Sequence, residues 1–346
     1  MPVRLVDIAR DLGVSAVTVS KVLRGHTDIG PATSARVLKR ARELGYRPDL
    51  TARALVTGRT GLLGMVVPDL VHPFFSQVAE ALARALRPAG RSLVIASSGE
   101  DPALEREEID QLLARRVDVL LIASAQPDAS AFRRLDAQRA RYILVDRRFE
   151  GHAAHFVGID DARAGELAAA HLIDQGCRRI AHIPGPALSP AAGRLAGYKR
   201  ALAAAGLPVP RGGVTKRVGD VDGDAGGHAM MRGLLALTPR PDGVFCYNDP
   251  IAAGAVRAIL DAGLRVPEDI AVVGCGNIRY GEMLRVPLST VDQDCAGLGR
   301  EVAKLALELE RARAPVAPRT VLLQPSLVVR ASSRRRPPGE SGGRGA

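Results

Sequence analysis

The chain has 346 residues, a formal net charge of +11 at pH 7, and 47% apolar but only 3% aromatic residues. This length predicts two or three domains rather than one small core. A membrane protein is excluded because no stretch approaches the roughly 20 apolar residues of a membrane span, and the absence of a basic start followed by an apolar run predicts a cytoplasmic protein.

The positive charge is concentrated at the two ends of the chain. Residues 1–60 hold eleven Lys and Arg against five Asp and Glu, and residues 330–346 hold five Arg against one Glu. The residues between these ends carry a net charge of only +1. A basic N-terminal module favours an acidic partner such as nucleic acid.

Three short helices are predicted in the first 46 residues, because apolar residues recur there at helical spacing. These residues are Leu5, Ile8, Ala9 and Leu12 in the first helix, Val19, Val22 and Leu23 in the second, and Val37, Leu38, Ala41 and Leu44 in the third. Gly13 is expected to end the first helix and Ser15 to cap the second. Pro31 suits the first turn of the third helix and Gly45 its end.

The second helix carries Val17 and Lys21 one turn apart on the face opposite its apolar stripe. A tight break between two short helices indicates a helix-turn-helix, whose second helix enters the major groove of DNA. Val17 can then contact a thymine methyl group, and Lys21 can donate to guanine O6 or N7. The hydroxyl groups of Ser15, Thr18 and Ser20 suit phosphates. A three-helix protein-interaction bundle with one exposed valine is the alternative.

The segment RPDLTARALVTGRTG, residues 47–61, follows the third helix. Pro48 interrupts the chain, Asp49 can cap a short helix, and Gly58 can end it. Two interpretations remain open: a solvated linker, or a hinge that folds only on DNA and inserts Leu55 between base steps in the minor groove.

From residue 61 onward, apolar strands alternate with helical patterns, and this rhythm restarts after about residue 160. The predicted strands lie in GLLGMVVPDL, RSLVIASS, VDVLLIAS, ARYILVDR, RRIAHIPG, GVFCYND and IAVVGCG. Repeated βαβ units predict parallel sheets, and two series of them predict two subdomains. Ligands of such folds bind beyond the carboxyl ends of the strands.

Little in the sequence indicates an enzyme. The segment GCGNIR, residues 274–279, begins like a dinucleotide-binding fingerprint, but Arg279 replaces its third glycine. No nucleophile-elbow, P-loop or metal-binding pattern is present, so no cofactor is predicted, and His182 in an apolar strand is expected to be a core residue. The second class to consider is a transport-type solute-binding protein, which would have a signal sequence and no DNA-binding module.

The four cysteines form no C-x-x-C pair. They are Cys177, Cys246, Cys275 and Cys295. We expect buried thiols rather than a zinc site or a disulfide framework.

A series of motifs covers roughly residues 3–330, in the order VDIARDLGVSAVTVSKVL, ARELGYRP, TARAL, GMVVPDLVHPFF, GCRRIAHIPGP, FCYND, GLRVPEDIAVVG and LSTVDQD. These motifs resemble those of the lactose-repressor (LacI/GalR) family of bacterial transcription regulators. The resemblance implies an α/β protein with an N-terminal helix-turn-helix three-helix domain and a periplasmic-binding-protein-like sensor of two subdomains with parallel sheets. It also implies a homodimeric repressor on a palindromic operator in double-stranded DNA. A small-molecule effector between the subdomains (a sugar, sugar acid or sugar phosphate) would control operator affinity.

The resemblance also implies site residues. In the family, the positions of Ala16, Val17 and Lys21 read bases, and paired hinge helices insert the residue matching Leu55. The expected DNA contacts are Ser15, Ala16, Val17, Thr18, Ser20, Lys21, Arg24, Arg53 and Leu55. The expected ligand contacts are Phe74, Phe75, Asp146, Arg147, Arg194, Asn248 and Asp249. Core packing for the phenylalanines and a surface ion pair for Asp146 and Arg147 remain alternatives.

Two departures from the family pattern affect the ligand. Relatives usually carry an Asp at the position of Gly276, and several carry an aromatic residue near Val221. Arg147 and Arg194 remain as donors suited to a carboxylate or phosphate. The expectation therefore shifts towards an anionic, hydroxylated ligand.

These observations predict four segments. They are a helix-turn-helix DNA-binding domain (1–48), a hinge helix and linker (49–60), a ligand-sensing and dimerisation domain (61–330) and a disordered basic tail (331–346). The tail has almost no large apolar residue and no heptad pattern, which predicts a dimer rather than the tetramer that some relatives form.

Overall fold

The computed structural model describes residues 3–23, 25–46, 58–215 and 223–335. The chain divides into two compact units, Met1–Gly61 and Leu62–Ala346. The second unit begins one residue after the predicted start of the sensor at residue 61.

The N-terminal unit consists of three helices, α1 (Leu5–Leu12), α2 (Ala16–Leu23) and α3 (Pro31–Glu43). Gly13 ends α1 with a left-handed φ of 65°, and the Thr18 amide donates to the Ser15 hydroxyl at 3.0 Å, both as predicted. The core of this unit is formed by Ile8, Ala9, Val19, Val22, Val37 and Ala41.

The prediction that Leu38 belongs to the buried stripe of α3 is wrong. Leu38 is 44% exposed, whereas Val37 and Ala41 are buried. Among the described residues, α3 packs against the short helices α1 and α2 through Val37, Ala41 and Leu44, and Leu38, the position after Val37, faces solvent.

The first subdomain of the C-terminal unit is built on a six-stranded sheet. Its elements in chain order are β1 (Leu62–Val67), α4 (Pro73–Leu86), β2 (Ser92–Ser97), α5 (Pro102–Ala114), β3 (Val119–Ile122), α6 (Arg133–Ala137), β4 (Tyr142–Val145) and β5 (His155–Ile159). A later strand, β10 (Thr320–Leu323), completes the parallel strand order β10-β5-β4-β3-β1-β2. Strands β3, β4 and β5 are buried along their whole length, as parallel strands covered on both faces are.

The second subdomain is built on a five-stranded sheet. Its elements are α7 (Asp161–Asp174), β6 (Ile180–Ile183), α8 (Ser189–Ala204), α9 (Gly223–Leu235), β7 (Gly243–Cys246), α10 (Asp249–Asp261), β8 (Ala271–Cys275), β9 (Ser289–Asp292) and β11 (Ser326–Val328). The strand order is β11-β9-β8-β7-β6, in which β11 alone runs antiparallel to its neighbour. The predicted parallel sheets and the restart near residue 160 are confirmed.

Three described connections link the two subdomains. The chain leaves the first sheet after β5, returns after β9 through α11 (Cys295–Arg311), and crosses again between β10 and β11. Side chains that follow strands of both sheets therefore reach one shared cavity.

The predicted boundary of the C-terminal tail at residue 331 is wrong. Ser332 and Ser333 are completely buried. The Ser332 hydroxyl donates to the Val272 carbonyl at 2.7 Å, and the Ser333 hydroxyl lies 2.7 Å from His171 Nε2. Short hydroxyl side chains fit against β8 and β9 and satisfy buried polar groups there. Residues 336–346 of the predicted tail lie outside the described residues.

Candidate nucleic-acid interface and ligand cavity

The face of α2 that is predicted to contact DNA is exposed on the surface of the N-terminal unit. Val17 is 63% exposed, whereas Val19 and Val22 on the opposite face are buried. Lys21 lies one turn beyond Val17, with its side chain 37% exposed. Ala16 packs partly against the core, so Val17 provides the apolar group on this face.

The ammonium group of Lys21 is bound by a residue that sequence reasoning missed. Lys21 Nζ donates to Asp28 Oδ2 at 2.5 Å, and Asp28 lies in the loop between α2 and α3. The hydrogen bond from Lys21 lowers the pKa of the Asp28 carboxyl below its usual value. The helix α2 ends at Leu23, so the seven-residue spacing of Lys21 and Asp28 is not a helical one, and the sequence carries no signal for this contact.

The remaining DNA contacts expected from the sequence divide into two groups. Ser15 and Thr18 lie at the start of α2, with their hydroxyl oxygens 2.9 Å apart, and Ser20 is half-buried on α2. Arg24, Arg53 and Leu55 lie outside the described residues.

A cavity of about 350 Å³ lies between the two subdomains, at the carboxyl ends of strands from both sheets. Six of the seven predicted ligand contacts line it: Phe74, Phe75, Asp146, Arg147, Arg194 and Asn248. Its other polar and aromatic lining residues are Asp69, His72, Glu100, Asp224, Tyr247 and Gln293. Three of these residues follow the carboxyl ends of β2, β7 and β9: Glu100, Tyr247 and Gln293. The rule that ligands bind beyond the carboxyl ends of strands could therefore have identified them from the sequence.

Arg147 is held by a bidentate ion pair. Its terminal nitrogens donate to the two carboxylate oxygens of Glu100 at 2.9 and 2.7 Å, and Nη1 also donates to the Ser124 carbonyl at 3.1 Å. Ser124 lies beneath the cavity wall, where its hydroxyl donates to the buried Glu105 at 2.7 Å. Arg147 Nε is buried and has no hydrogen-bond partner among the described residues.

All three guanidinium nitrogens of Arg194 donate hydrogen bonds. Its Nε donates to Asp161 at 2.9 Å, Nη1 to the Tyr247 carbonyl at 2.8 Å, and Nη2 to Gln293 at 2.9 Å. Its guanidinium group lies 4.6 Å from the centre of the Tyr247 ring. Arg194 thus joins α8 to the residues that begin α7 and follow β7 and β9.

Asp146 directly follows β4 in a conformation that favours glycine, with a φ of 64°. Such strained positions are common at binding sites. Burial, with the nearby Asp161 carboxylate, raises the pKa of Asp146 to about 6 against the opposing effect of Arg194. Asp146 Oδ2 lies 4.0 Å from Arg147 Nε, which is too far for a direct hydrogen bond.

A polar contact joins the two subdomains across the cavity. Asn248 Oδ1 caps α10 by accepting from the Ile251 amide at 2.9 Å, and Nδ2 lies 3.0 Å from His72 Nε2. Burial lowers the pKa of His72 to about 4, so this ring is neutral near pH 7.

Asp249, the seventh predicted ligand contact, does not line the cavity. It is completely buried, and it accepts from the Thr290 hydroxyl at 2.6 Å and from the Ile278 amide at 2.9 Å. Asp249 is the first residue of α10, and its carboxylate lies beneath the end of β8. It therefore stabilises the packing there and does not contact the cavity.

The same packing accounts for Gly276. Its φ of 142° is rare for residues with a side chain, and a Cβ there would lie 3.4 Å from Asp249 Oδ2. An aspartate at this position would set a second carboxylate against a buried one. Val221 lies outside the described residues.

The charges of the cavity argue against the anionic ligand expected from the sequence. The described residues that line the cavity include four acidic side chains, Asp69, Glu100, Asp146 and Asp224, but only two basic ones, Arg147 and Arg194. Each arginine already has a carboxylate partner. An anion would therefore enter a negative cavity without a free guanidinium fork to receive it.

The described residues show no sign of a metal site or a membrane-spanning helix. Among the described residues, no group of three or more His, Cys, Asp or Glu side chains is arranged to hold a metal ion. Within the same parts of the chain, no helix is long and apolar enough to cross a membrane. The four cysteines are buried and unpaired, as predicted.

Comparison with known proteins gives matches at both units. The family described as "Bacterial regulatory proteins, lacI family" matches residues 4–49, and the "Periplasmic binding protein-like domain" matches residues 169–333. The chain is 34% identical over 298 residues to the ribose operon repressor of Escherichia coli (strain K12), which covers 85% of this chain and 88% of that protein. It is 33% identical over 328 residues to the HTH-type transcriptional regulator GalR of the same organism, which covers 94% of each.

Solved structures are similar along nearly the whole chain. The lac repressor dimer bound to operator and the anti-inducer ONPF has a TM-score of 0.83 at 28% identity, covering 96% of this chain and 99% of that one. A complex of the transcriptional regulator CelR with cellobiose has a TM-score of 0.71 at 31% identity, covering 95% and 99%.

Proposed function

Because the chain belongs to the LacI family of bacterial regulatory proteins, we propose that it is a repressor whose operator affinity is set by a neutral, hydroxylated small molecule. Two protomers present α2 to the half-sites of a palindromic operator, and the ligand occupies the cavity between the subdomains. The observation that carries the proposal is the combination, in one chain, of an exposed Val17–Lys21 face on a helix-turn-helix and a polar cavity between two subdomains. The protein acts in the cytoplasm, where the DNA is, and no chemical step is needed.

The DNA-reading face supports contacts of two kinds. The exposed Val17 side chain suits the methyl group of thymine, and the Lys21 ammonium group suits guanine O6 and N7. Hydroxyl groups near the start of α2 suit the phosphates, which position the helix without reading sequence.

The charge of the cavity disfavours an acidic ligand. Both arginines are paired with carboxylates, so their positive charge is already balanced, and the remaining lining acids make the cavity negative. A neutral molecule avoids the repulsion that a sugar acid or sugar phosphate meets there.

The hydroxyl groups of the ligand follow from the acceptors that line the cavity. A ligand hydroxyl donates to the Asp146 carboxylate, and the carboxylates of Asp69 and Asp224 line the same cavity as further acceptors. The rings of Phe74, Phe75 and Tyr247 supply apolar faces beside these polar groups. The volume of about 350 Å³ lies at the small end of ligand pockets and favours a monosaccharide.

The ligand class is tested by titration calorimetry of the full chain. Neutral monosaccharides are compared with their matching uronic acids, sugar phosphates and amino sugars. We expect binding by a neutral sugar and about 10-fold weaker binding, or none, by its acid. Tighter binding of the acid, the phosphate or the amino sugar contradicts the proposed ligand.

The role of Asp146 is tested with Asp146→Asn, which keeps the shape of the side chain and removes its charge. Losing a hydrogen bond to a charged group weakens sugar binding by about 10-fold or more. The matched control is Asp110→Asn, which removes the same charge from the surface of the same subdomain, where Asp110 pairs with Arg134. Equal sugar affinities of the two variants would show that Asp146 does not contact the ligand.

A further inference from the structure

A carboxylate lies beside the side chain that is proposed to read guanine. Asp28 Oδ2 accepts from Lys21 Nζ at 2.5 Å, and the two side chains are 53% and 37% exposed. Asp28 belongs to a short loop between α2 and α3, whose backbone is tied to α2 by the His26 amide donating to the Lys21 carbonyl at 3.1 Å. The carboxylate therefore has a defined place relative to the recognition helix.

The contact restricts a side chain that is otherwise very flexible. A lysine has four rotatable bonds, and its compact ammonium group attracts any nearby phosphate or base acceptor. One of its three donors is used by Asp28, which leaves two for neighbouring acceptors such as guanine O6 and N7. A tethered ammonium group reaches fewer positions than a free one, so it distinguishes better between base pairs.

The negative charge has a second effect. DNA binding without sequence preference depends on neutralised phosphates and released counterions. A carboxylate on the surface that faces DNA repels the phosphates and offsets the positive charge of Lys21. Weaker general binding with retained base contacts raises the ratio of specific to non-specific affinity.

Resting on the proposed role of Lys21, we propose that Asp28 is a specificity-determining residue of the DNA interface. It positions the ammonium group of Lys21 for one base pair and lowers affinity for DNA of other sequence.

Two variants of Asp28 separate the tether from the charge. Asp28→Asn removes the charge but keeps an oxygen that accepts from Lys21, whereas Asp28→Ala removes both. Each is measured as the full chain against an operator selected from random duplexes, against that operator with single base-pair changes, and against unrelated DNA. Both variants are expected to bind unrelated DNA about 5- to 10-fold more tightly at 0.1 M salt, with the slope of log K against log salt steeper by about 0.9 per protomer.

Discrimination at the base pair read by Lys21 is the decisive measurement. It is expected to fall about 3- to 10-fold in Asp28→Ala and less in Asp28→Asn, since a good contact of this kind distinguishes bases by about 5- to 150-fold. In a Lys21→Ala background, Asp28→Ala is expected to leave the discrimination profile unchanged, because Asp28 acts on base reading through Lys21.

The matched control is Glu43→Gln. It removes the same charge from the N-terminal unit, where Glu43 pairs with Arg40 at the end of α3. It is expected to leave base discrimination unaltered. Thermal melting is expected to stay close to wild type in all variants, because exposed ion pairs contribute little to stability.

Unchanged discrimination in Asp28→Ala, or an equal loss in the Lys21→Ala background, would overturn the role of Asp28. A wild-type chain that selects no sequence from random duplexes is a different result, because it would overturn the proposed function instead.

Discussion

At the scale of single residues, His182 lies in the interior of the second subdomain between two aromatic rings. Its ring centre is 5.4 Å from that of Tyr198 and 4.8 Å from that of Phe245. Nδ1 lies 3.0 Å from the Phe245 carbonyl, and Nε2 is buried without a partner among the described residues. Burial lowers the pKa of His182 to about 4, so the folded chain holds this ring neutral at pH values where the unfolded chain protonates it. The core position predicted from the sequence is confirmed.

This environment predicts that His182→Phe reduces the loss of stability in acid. The pKa of His182 is lower in the folded state than the usual 6.5, so its contribution is complete above pH 6.5 and is lost as the pH falls to about 4. Between pH 7 and pH 4, the free energy of unfolding of the variant should therefore gain about 3 kcal/mol relative to wild type. Urea unfolding followed by circular dichroism measures this difference. A constant difference between the two proteins across these pH values would show that His182 does not titrate as described.

The cavity arginines show what sequence reasoning can and cannot supply at this scale. The resemblance to the LacI/GalR family identified both as ligand contacts, and both line the cavity. Their acceptors, Glu100 and Asp161, lie 47 and 33 residues away in sequence and belong to other elements. Ion pairs between residues so far apart leave no local pattern in the sequence. The expectation of an anionic ligand therefore treated Arg147 and Arg194 as free donors, although both are paired with carboxylates.

At the scale of elements, two pairs of helices pack so closely that glycine is required at the contact. A Cβ at Gly197 of α8 would lie 1.8 Å from the Ala162 carbonyl oxygen of α7. In the second pair, a Cβ at Gly254 of α10 would lie 1.9 Å from the Asp224 carbonyl oxygen of α9. Real side chains do not approach backbone oxygens so closely. These helices therefore fix where Arg194 and Asn248 enter the cavity.

Gly197→Ala is expected to force α7 and α8 apart. The free energy of unfolding should fall by about 2 kcal/mol or more, because a backbone oxygen, unlike a side-chain end, cannot move aside. Ligand affinity should fall as well, since Arg194 lies one turn earlier on α8. Gly233→Ala is the control: a Cβ there meets nothing within 4 Å, so the better helix propensity of alanine should stabilise the protein by about 0.5–1 kcal/mol. Chemical denaturation compares them, and similar effects of the two substitutions would contradict the close packing.

The elements that sequence patterns identified are those with continuous apolar runs or clear helical periodicity. Four strands were not singled out: β5 and β9, which are almost completely buried, and the short strands β10 and β11, whose side chains are exposed or half-buried. The conformation of β10 and β11 depends on pairing with β5 and β9, which lie far away in sequence. Strand formation of this kind is decided by the neighbouring strand and not by local preference.

At the scale of the whole molecule, the DNA-binding unit is basic, whereas the lining of the ligand cavity is acidic. Residues 1–60 carry a net charge of +6, which suits DNA, whereas acidic side chains outnumber basic ones among the described residues of the ligand cavity. The basic helices and the repeated βαβ rhythm were sufficient to predict this architecture. The balance of charge inside the cavity was not predictable, because it depends on which strand ends meet after folding.

The most direct test of the account is the affinity of the full chain for a selected operator, measured by fluorescence anisotropy with and without the neutral sugar that binds best. Without sugar, the chain is expected to bind the operator at least about 1,000-fold more tightly than unrelated DNA. Saturating sugar should change operator affinity by about 5-fold or more. In Asp146→Asn the same change should need a sugar concentration about 10-fold higher or more, while operator affinity without sugar stays intact. Equal affinity for operator and unrelated DNA, or an operator affinity that no neutral sugar alters, would contradict the account.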